Sequence, residues 1–173
     1  MKLIFRPAVL VMFLGLLASC NKPVNISRNF HIGEKVQVGA LNYTVLGAEW
    51  KTELGSDFER RAAKDRFLIL QLAIFNGGSV DAGAPLTQLI DARGKEYGEL
   101  QDVKGLPQWM SLMRKLSPNS VEEGRIVFDV PLGIYNLKVS DGGIENEKTA
   151  NIEIPLELNG IAPPSHGVIP QSK

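Results

Sequence analysis

Residues 66–76 read RFLILQLAIFN, a mostly apolar run of strand length. Leucine and isoleucine occupy the alternate positions from Leu68 to Ile74. The other face is mostly apolar as well, with Gln71 the one polar residue among Phe67, Ile69, Gln71, Ala73 and Phe75. A strand that is apolar on both faces is typical of one that is covered from both sides or central in a sheet. We therefore predict a central, fully buried strand at this point of the chain.

Segments on both sides of this strand alternate apolar and polar residues with a period of two, which is typical of half-buried strands. Turn-forming residues separate the segments at Asn76–Ser79, Asp91–Gly94 and Asp141–Gly143. Seven or eight short strands with regularly spaced turns predict an all-β sandwich. The residues predicted to face its core are Leu41, Tyr43, Val45, Ile126, Phe128, Val130, Tyr135, Leu137, Val139, Ile152, Ile154, Leu156 and Leu158.

One segment breaks the two-residue pattern. Residues 105–118 read GLPQWMSLMRKLSP, and one helical face would carry Leu106, Trp109, Met110 and Met113. This spacing, with a proline in the first turn, predicts a short amphipathic helix in a strand connection. The four side chains either cap an open end of the sandwich or remain partly exposed for a protein partner or ligand. They are the candidate partner-binding residues.

The start of the chain has the order of a secretory signal peptide. Basic residues come first, then ten uncharged residues (AVLVMFLGLL), then small residues. Thirteen residues separate Arg6 from Cys20, whereas a membrane-spanning helix needs about 20 apolar residues. Leu17-Ala18-Ser19-Cys20 resembles the lipobox of the bacterial lipoprotein family. The resemblance implies cleavage between Ser19 and Cys20, a diacylglycerol on the Cys20 thiol and an acylated amino group.

These features predict how the chain is divided. We expect a signal peptide over residues 1–19, a lipidated N-terminus and flexible tether over 20–32, a sandwich domain over 33–158 and a tail rich in proline and glycine over 159–173. Two or three acyl chains together hold a protein stably on a membrane. Because Asn21 follows the cysteine, the lipoprotein family's sorting pattern implies the outer membrane, facing the periplasm, in a cell with two membranes.

The body of the chain also resembles, over about residues 33–158, the telokin-like, immunoglobulin-like domain of unknown function found in bacterial lipoproteins. The matching stretches are VGALNYTVLGAEW, RFLILQLAIFNGG, LIDARGKEY and EEGRIVFDVP, in that order. The resemblance implies an antiparallel sandwich of the immunoglobulin type and supplies no established catalytic residues. We therefore expect an immunoglobulin-like β-sandwich of 7–8 strands with one short helix.

The sequence offers little for catalysis or metal binding. A hydrolase with a Ser-His-Asp or Cys-His site needs a histidine, and the two present, His31 and His166, lie in the predicted tether and tail. A pair of carboxylates remains an open alternative. Met110 and Met113 could bind Cu(I), and the acidic residues of SDGGIENEK could bind Ca²⁺. A packed helix face and a solvated turn explain these residues more simply, so we predict no metal and no cofactor.

The charge balance also excludes one class of partner. Once the signal peptide with Lys2 and Arg6 is removed, 17 of the 19 basic residues remain beside 19 acidic ones, a formal charge of −2. No basic patch indicates nucleic-acid binding. The sequence therefore predicts a lipid-anchored, non-enzymatic protein-interaction module of the cell envelope. The alternatives are a small-ligand or metal-binding envelope protein and an envelope enzyme that uses carboxylates.

Overall fold

The computed structural model describes residues 28–55, 60–103 and 105–156. All regular secondary structure within these ranges is β-strand. In chain order the strands are β1 (Phe30–His31), β2 (Val36–Val38), β3 (Leu41–Leu54), β4 (Arg61–Asn76), β5 (Ala82–Ala84), β6 (Gln88–Asp91), β7 (Glu96–Gly98), β8 (Arg114–Leu116), β9 (Val121–Asp129), β10 (Tyr135–Ser140) and β11 (Thr149–Ile154).

The strands form two large sheets and one small one. The five-stranded sheet has the order β1-β11-β10-β6-β7, the four-stranded sheet has the order β2-β3-β4-β9, and β5 pairs with β8. Neighbouring strands are antiparallel except β1 and β11, which pair in parallel. One hydrophobic cluster takes side chains from both large sheets. The sheets therefore pack face to face, and the predicted all-β sandwich is confirmed.

The apolar run over residues 66–76 forms the greater part of β4, which lies between β3 and β9. Its alternate residues from Leu68 to Ile74 are fully buried in the main core between the sheets. On the opposite face, Phe67 and Ile69 are buried in a second cluster with Leu54, Val103 and Val127. The prediction of a central strand covered on both sides is confirmed.

In the other long segments, the apolar residues of the alternating pattern also face inwards, as predicted. Eleven of the predicted core residues are at most 3% exposed, namely Leu41, Tyr43, Val45, Ile126, Phe128, Val130, Tyr135, Leu137, Val139, Ile152 and Ile154. β11 ends at Ile154, and the next residue, Pro155, has no N–H to donate to a neighbouring strand. Leu156, beyond the strand end, is exposed, and Leu158 lies outside the described residues.

The described residues contain eleven strands, where the sequence predicted seven or eight. Six of them have only two to four residues, and such short strands show too little alternation to be recognised. β1 lies inside residues 20–32, which the sequence pattern assigns to the tether. It pairs with β11, and Phe30 packs against the main core.

The predicted helix around Trp109 is wrong, because the described residues contain no helix. Gln108 has a φ of 58°, a left-handed conformation that interrupts a right-handed helix. The backbone bonds to a strand instead. Met110 N–H donates to Arg125 C=O at 2.9 Å, and Arg125 N–H donates to Gln108 C=O at 2.7 Å. The edge of β9 thus supplies the hydrogen-bond partners that a helix would have supplied locally.

Other predicted features fall outside the described residues. These are the signal peptide, the cleavage site at Ser19 and Cys20, and the tail over residues 159–173. Within the described ranges, no helix has the length and apolar character needed to cross a membrane.

Candidate functional site

Residues 100–103 and 105–110, which we call the cover segment, run along the edge of β9. Leu100 N–H donates to Val127 C=O at 2.8 Å at one end, and Met110 N–H donates to Arg125 C=O at the other. The approach is so close that a Cβ on Gly124 would lie 2.9 Å from the Gln108 carbonyl oxygen. The cover segment therefore pairs with a strand edge that would otherwise be open, which is a common source of aggregation.

The cover segment also completes the second hydrophobic cluster on the outer face of the four-stranded sheet. Val103 is buried there, and Leu106 and Trp109 are half-buried against the cluster that contains Phe67 and Val127. The remaining parts of the two half-buried side chains face solvent. We call Leu106 and Trp109 the flank surface, since they lie on the side of the sandwich.

One buried ion pair fixes both ends of the cover segment. Glu99 directly precedes the segment, and Arg114, the first residue of β8, follows it closely. Their side chains are 1% and 0% exposed. The Arg114 guanidinium donates two N–H groups to the two carboxylate oxygens of Glu99, one of them at 3.1 Å. This two-point geometry holds β8 in a fixed position relative to β7.

The other polar atoms around this pair are hydrogen-bonded as well. Thr87 donates its N–H and its hydroxyl to Glu99 Oε1 at 2.5 and 2.8 Å. The Nε–H of Arg114 donates to Ser111 C=O at 3.0 Å. Burial of charge is costly unless the charges are paired and hydrogen-bonded, and here that condition is met. The network joins the start of β6 to both ends of the cover segment.

Tyr43 connects the two large sheets close to this network. Its hydroxyl donates to Ser140 C=O at 2.7 Å. Burial raises the pKa of the Tyr43 phenol above its ordinary value, and the nearby Arg114 charge acts in the opposite direction. The phenol therefore stays protonated and serves as a donor between β3 and β10.

A groove of about 410 Å³ lies beside Arg114 at one end of the sandwich. Its walls come from β5, from the residues just before and within β8, and from the turn after β10. The apolar part of the lining includes Pro85, Leu112 and Met113, and Met113 is 90% exposed. The groove is a fixed, mostly apolar surface beside a buried charge network.

The structure separates the four residues that the sequence proposed as one partner site. Leu106 and Trp109 lie on the flank, and Met113 lies at the groove. Met110 is 2% exposed and belongs to the main core, so it does not contribute to a surface. An extended backbone sends neighbouring side chains to opposite faces, whereas the predicted helix would have kept the four together.

Sequence reasoning missed Glu99 and Arg114. Charged residues are mostly exposed, and these two stand 15 residues apart in the chain. The one available signal was the inward position of Arg114 two residues before Leu116, and β8 is too short for this alternation to be recognised.

The described residues that the sequence offered for metal binding do not form one site. The Asp141 carboxylate accepts the N–H groups of Gly143 and Lys148 at 3.1 and 3.0 Å. These bonds, with that from Lys148 the larger influence, lower the pKa of Asp141. In the part of the chain that the structure describes, no group of three or more His, Cys, Asp or Glu is placed to hold a metal. His31 is exposed on β1, and His166 lies outside the described residues.

Solved structures of bacterial proteins share this fold at low sequence identity. The yjhA protein from Bacillus subtilis superposes with a TM-score of 0.55 at 15% identity, over 71% of this chain and 98% of its own. A functionally unknown protein from Listeria monocytogenes EGD-e gives 0.53 at 14% identity, over 72% and 82%. The ycdA protein from Bacillus subtilis subsp. subtilis str. 168, a candidate lipoprotein, gives 0.57 at 12% identity, over 70% of this chain and 38% of its own. At this identity the likeness shows the fold.

The sequence itself matches one protein family. No curated protein sequence matches the chain. Residues 30–149 match the family described as a domain of unknown function, DUF4352. The matched range covers well over half of the 173 residues and runs from β1 to the first residue of β11. The chain belongs to the DUF4352 family.

Proposed function

We propose that the protein is a lipid-anchored, non-enzymatic interaction module of the bacterial cell envelope, and that a protein partner binds its flank surface. The observation that carries the proposal is the position of Leu106 and Trp109. Both are half-buried, with part of each side chain open to solvent, on a segment that has no regular secondary structure and whose backbone is hydrogen-bonded to β9. Function in β-sandwiches commonly lies on such segments, held by a rigid scaffold.

The flank surface has the properties of a small binding site. Tryptophan is among the residues that contribute most to binding energy at protein interfaces. Hydrogen bonds to β9 and the Glu99–Arg114 pair hold the cover segment in place before any partner arrives. Binding there would not have to order a flexible loop, which lowers the entropic cost of association. The fitting partner is an envelope protein with an apolar recess for an indole ring.

The anchor in this proposal is Cys20. The lipobox-like order of Leu17-Ala18-Ser19-Cys20 supports it, because an acylated thiol and amino group hold a protein on a membrane without a spanning helix. A candidate lipoprotein, ycdA, shares the fold. In a cell with two membranes, Asn21 after the cysteine supports the outer membrane, facing the periplasm.

The anchor is tested first, with the full-length chain. We expect mass spectrometry of the membrane-bound protein to find acyl groups on Cys20 and no residue before it. Cys20→Ala should leave an unprocessed or soluble form, since the chain has no second cysteine. Density-gradient fractionation of a cell with two membranes should place the wild type in the outer one. Membrane-bound wild type without acyl mass on Cys20 would contradict the anchor.

The partner surface is tested with Trp109→Ala. A photo-crosslinking residue at the exposed position Gln108 should capture an envelope protein in cells, and Trp109→Ala should abolish the capture. Leu70→Ala is the reference for loss of stability, because truncating a fully buried leucine costs about 2–5 kcal/mol. Trp109 is half-buried, so its truncation should lower the melting temperature less. A control, Val121→Lys, changes an exposed apolar residue of β9 and should preserve the crosslink.

Two outcomes would remove the flank surface from the proposal. One is a Trp109→Ala protein as unstable as Leu70→Ala, which would make Trp109 a packing residue. The other is an unchanged set of crosslinked partners in a folded Trp109→Ala protein.

A further inference from the structure

We propose that the end of the sandwich from which the tether starts rests on the lipid surface that carries the anchor, with its exposed apolar side chains inserted between the lipid headgroups. We call this end the tether end. The inference rests on the Cys20 anchor of the proposed function, and it concerns residues other than those of the flank surface.

Strand register places the first described residues and the groove at the same end. Phe30 pairs with Ile152 in parallel, so Arg28 lies beside the first residues of β11. Arg28 and Thr149 line one small cavity. β11 starts where β10 ends, and Gly142, just after β10, lines the groove. The chain that leads back to Cys20 therefore leaves the domain at the end that carries the groove.

Four apolar side chains at the tether end are exposed to solvent, three of them for most of their surface. Val80, Leu112, Met113 and Ile144 are 71, 39, 90 and 102% exposed. Leu112 and Met113 line the groove, and Ile144 follows Gly142 in the turn between β10 and β11. The Asn76 side-chain amide donates to Val80 C=O at 2.8 Å and to Leu116 C=O, at the end of β8, at 3.0 Å, which holds Val80 close to the strand that lines the groove. Moving exposed apolar groups out of water lowers the free energy, so this grouping indicates a surface that becomes covered.

The length of the tether favours the membrane as the cover. Arg28 is eight residues after Cys20, and an extended chain spans at most ~3.6 Å per residue, so the tether reaches no more than about 29 Å. β3 has 14 residues, so at ~3.3 Å per residue its last residue, Leu54, lies about 45 Å from the tether end. The tether can therefore keep the tether end against a bilayer, but it is too short for the far end of β3 to lie there instead.

The charges at the tether end indicate which lipid surface fits. Lys115 is paired with Asp81 at 2.8 Å. The turn between β10 and β11 carries Asp141, Glu145 and Glu147 together with Lys148. Arg28, at the same end, is paired with Glu34 at 3.7 Å. Among the described residues this end therefore has no excess of positive charge that would attract anionic lipids. The surface that fits is zwitterionic, contact depends on apolar transfer, and added salt should change it little.

The test uses single cysteines in the acylated, full-length protein bound to phosphatidylcholine vesicles. Acylation occupies the Cys20 thiol, so an introduced cysteine is the only thiol that can be labelled. An environment-sensitive fluorophore is attached at Met113→Cys or Ile144→Cys. The matched control is Ile134→Cys, because Ile134 is also an exposed isoleucine, 59%, but lies at the opposite end just before β10.

We expect labels at 113 and 144 to give blue-shifted, brighter emission that lipid-borne nitroxides quench, at low and at high salt. The label at 134 should report water. Met113→Asp/Ile144→Asp changes two exposed side chains, so it should fold normally. It should also transfer between vesicles faster, by roughly tenfold for each side chain that leaves the lipid.

The outcomes separate this inference from the anchor. Watery emission at 113 and 144 from acylated, vesicle-bound protein overturns the inference and leaves the anchor intact. A chain that carries no acyl groups overturns both. A third outcome is watery emission at 113 and 144 on vesicles together with capture of a protein in cells by photo-crosslinking residues at the same positions. That outcome overturns the inference of a lipid occupant in favour of a protein occupant.

Discussion

Glu99 and Arg114 are almost fully buried, and the fold tolerates these charges because Thr87 and Ser111 complete their hydrogen bonds. Arg114→Met would leave the Glu99 carboxylate buried without its cation, so we expect a loss of about 3–5 kcal/mol in the free energy of unfolding. Glu99→Gln/Arg114→Met buries no charge and keeps an oxygen that can accept from Thr87, so it should recover most of that loss. Urea unfolding measures both variants. A double variant no more stable than the single one would show that the pair matters by its shape rather than its charge.

The cover segment is the element that departs furthest from local sequence preference, and its close contact with β9 depends on Gly124. A Cβ there would lie 2.9 Å from the Gln108 carbonyl oxygen and 3.1 Å from Met110 Cβ. Gly124→Ala must therefore displace the segment, and we expect it to lower the free energy of unfolding by about 1–3 kcal/mol. Gly98→Ala on β7 is the control, because a Cβ there meets nothing within 4 Å. Thermal unfolding of the two variants should differ clearly, and equal melting temperatures would contradict the close contact.

The molecule as a whole should lose stability in acid through aspartates at its two ends. The Asp91 carboxylate accepts N–H groups of Lys95 and Arg93, and the Asp141 carboxylate accepts those of Lys148 and Gly143. These bonds lower the pKa of both carboxyls in the folded state. The unfolded chain then binds protons more readily, so the stabilisation is complete above the ordinary pKa of about 4 and is lost as the pH falls below it. Denaturant unfolding from neutral to acidic pH should show this decline. Asp91→Asn/Asp141→Asn should show a shallower one, and an unchanged slope would contradict the assignment.

Local patterns in the sequence determined the sandwich. Two-residue alternation identified the inward face of β10 from Tyr135 to Val139, and the doubly apolar run marked β4 as central. The turn at Asp91–Gly94 was also readable, and Gly94 N–H does donate to Asp91 C=O at 2.9 Å. These features follow from side-chain periodicity and turn chemistry, which act between residues close in the chain.

Only the tertiary structure decided the conformation of the segment around Trp109. Its helical spacing was real, but the open edge of β9 offered backbone partners that outweighed the local preference, and Met110 was thereby turned into the core. The Glu99–Arg114 pair and the groove that Met113 and Gly142 both line likewise join residues that are distant in sequence. The sequence by itself determined which residues are buried in the long strands. Contacts between distant segments decided which surface each remaining side chain faces.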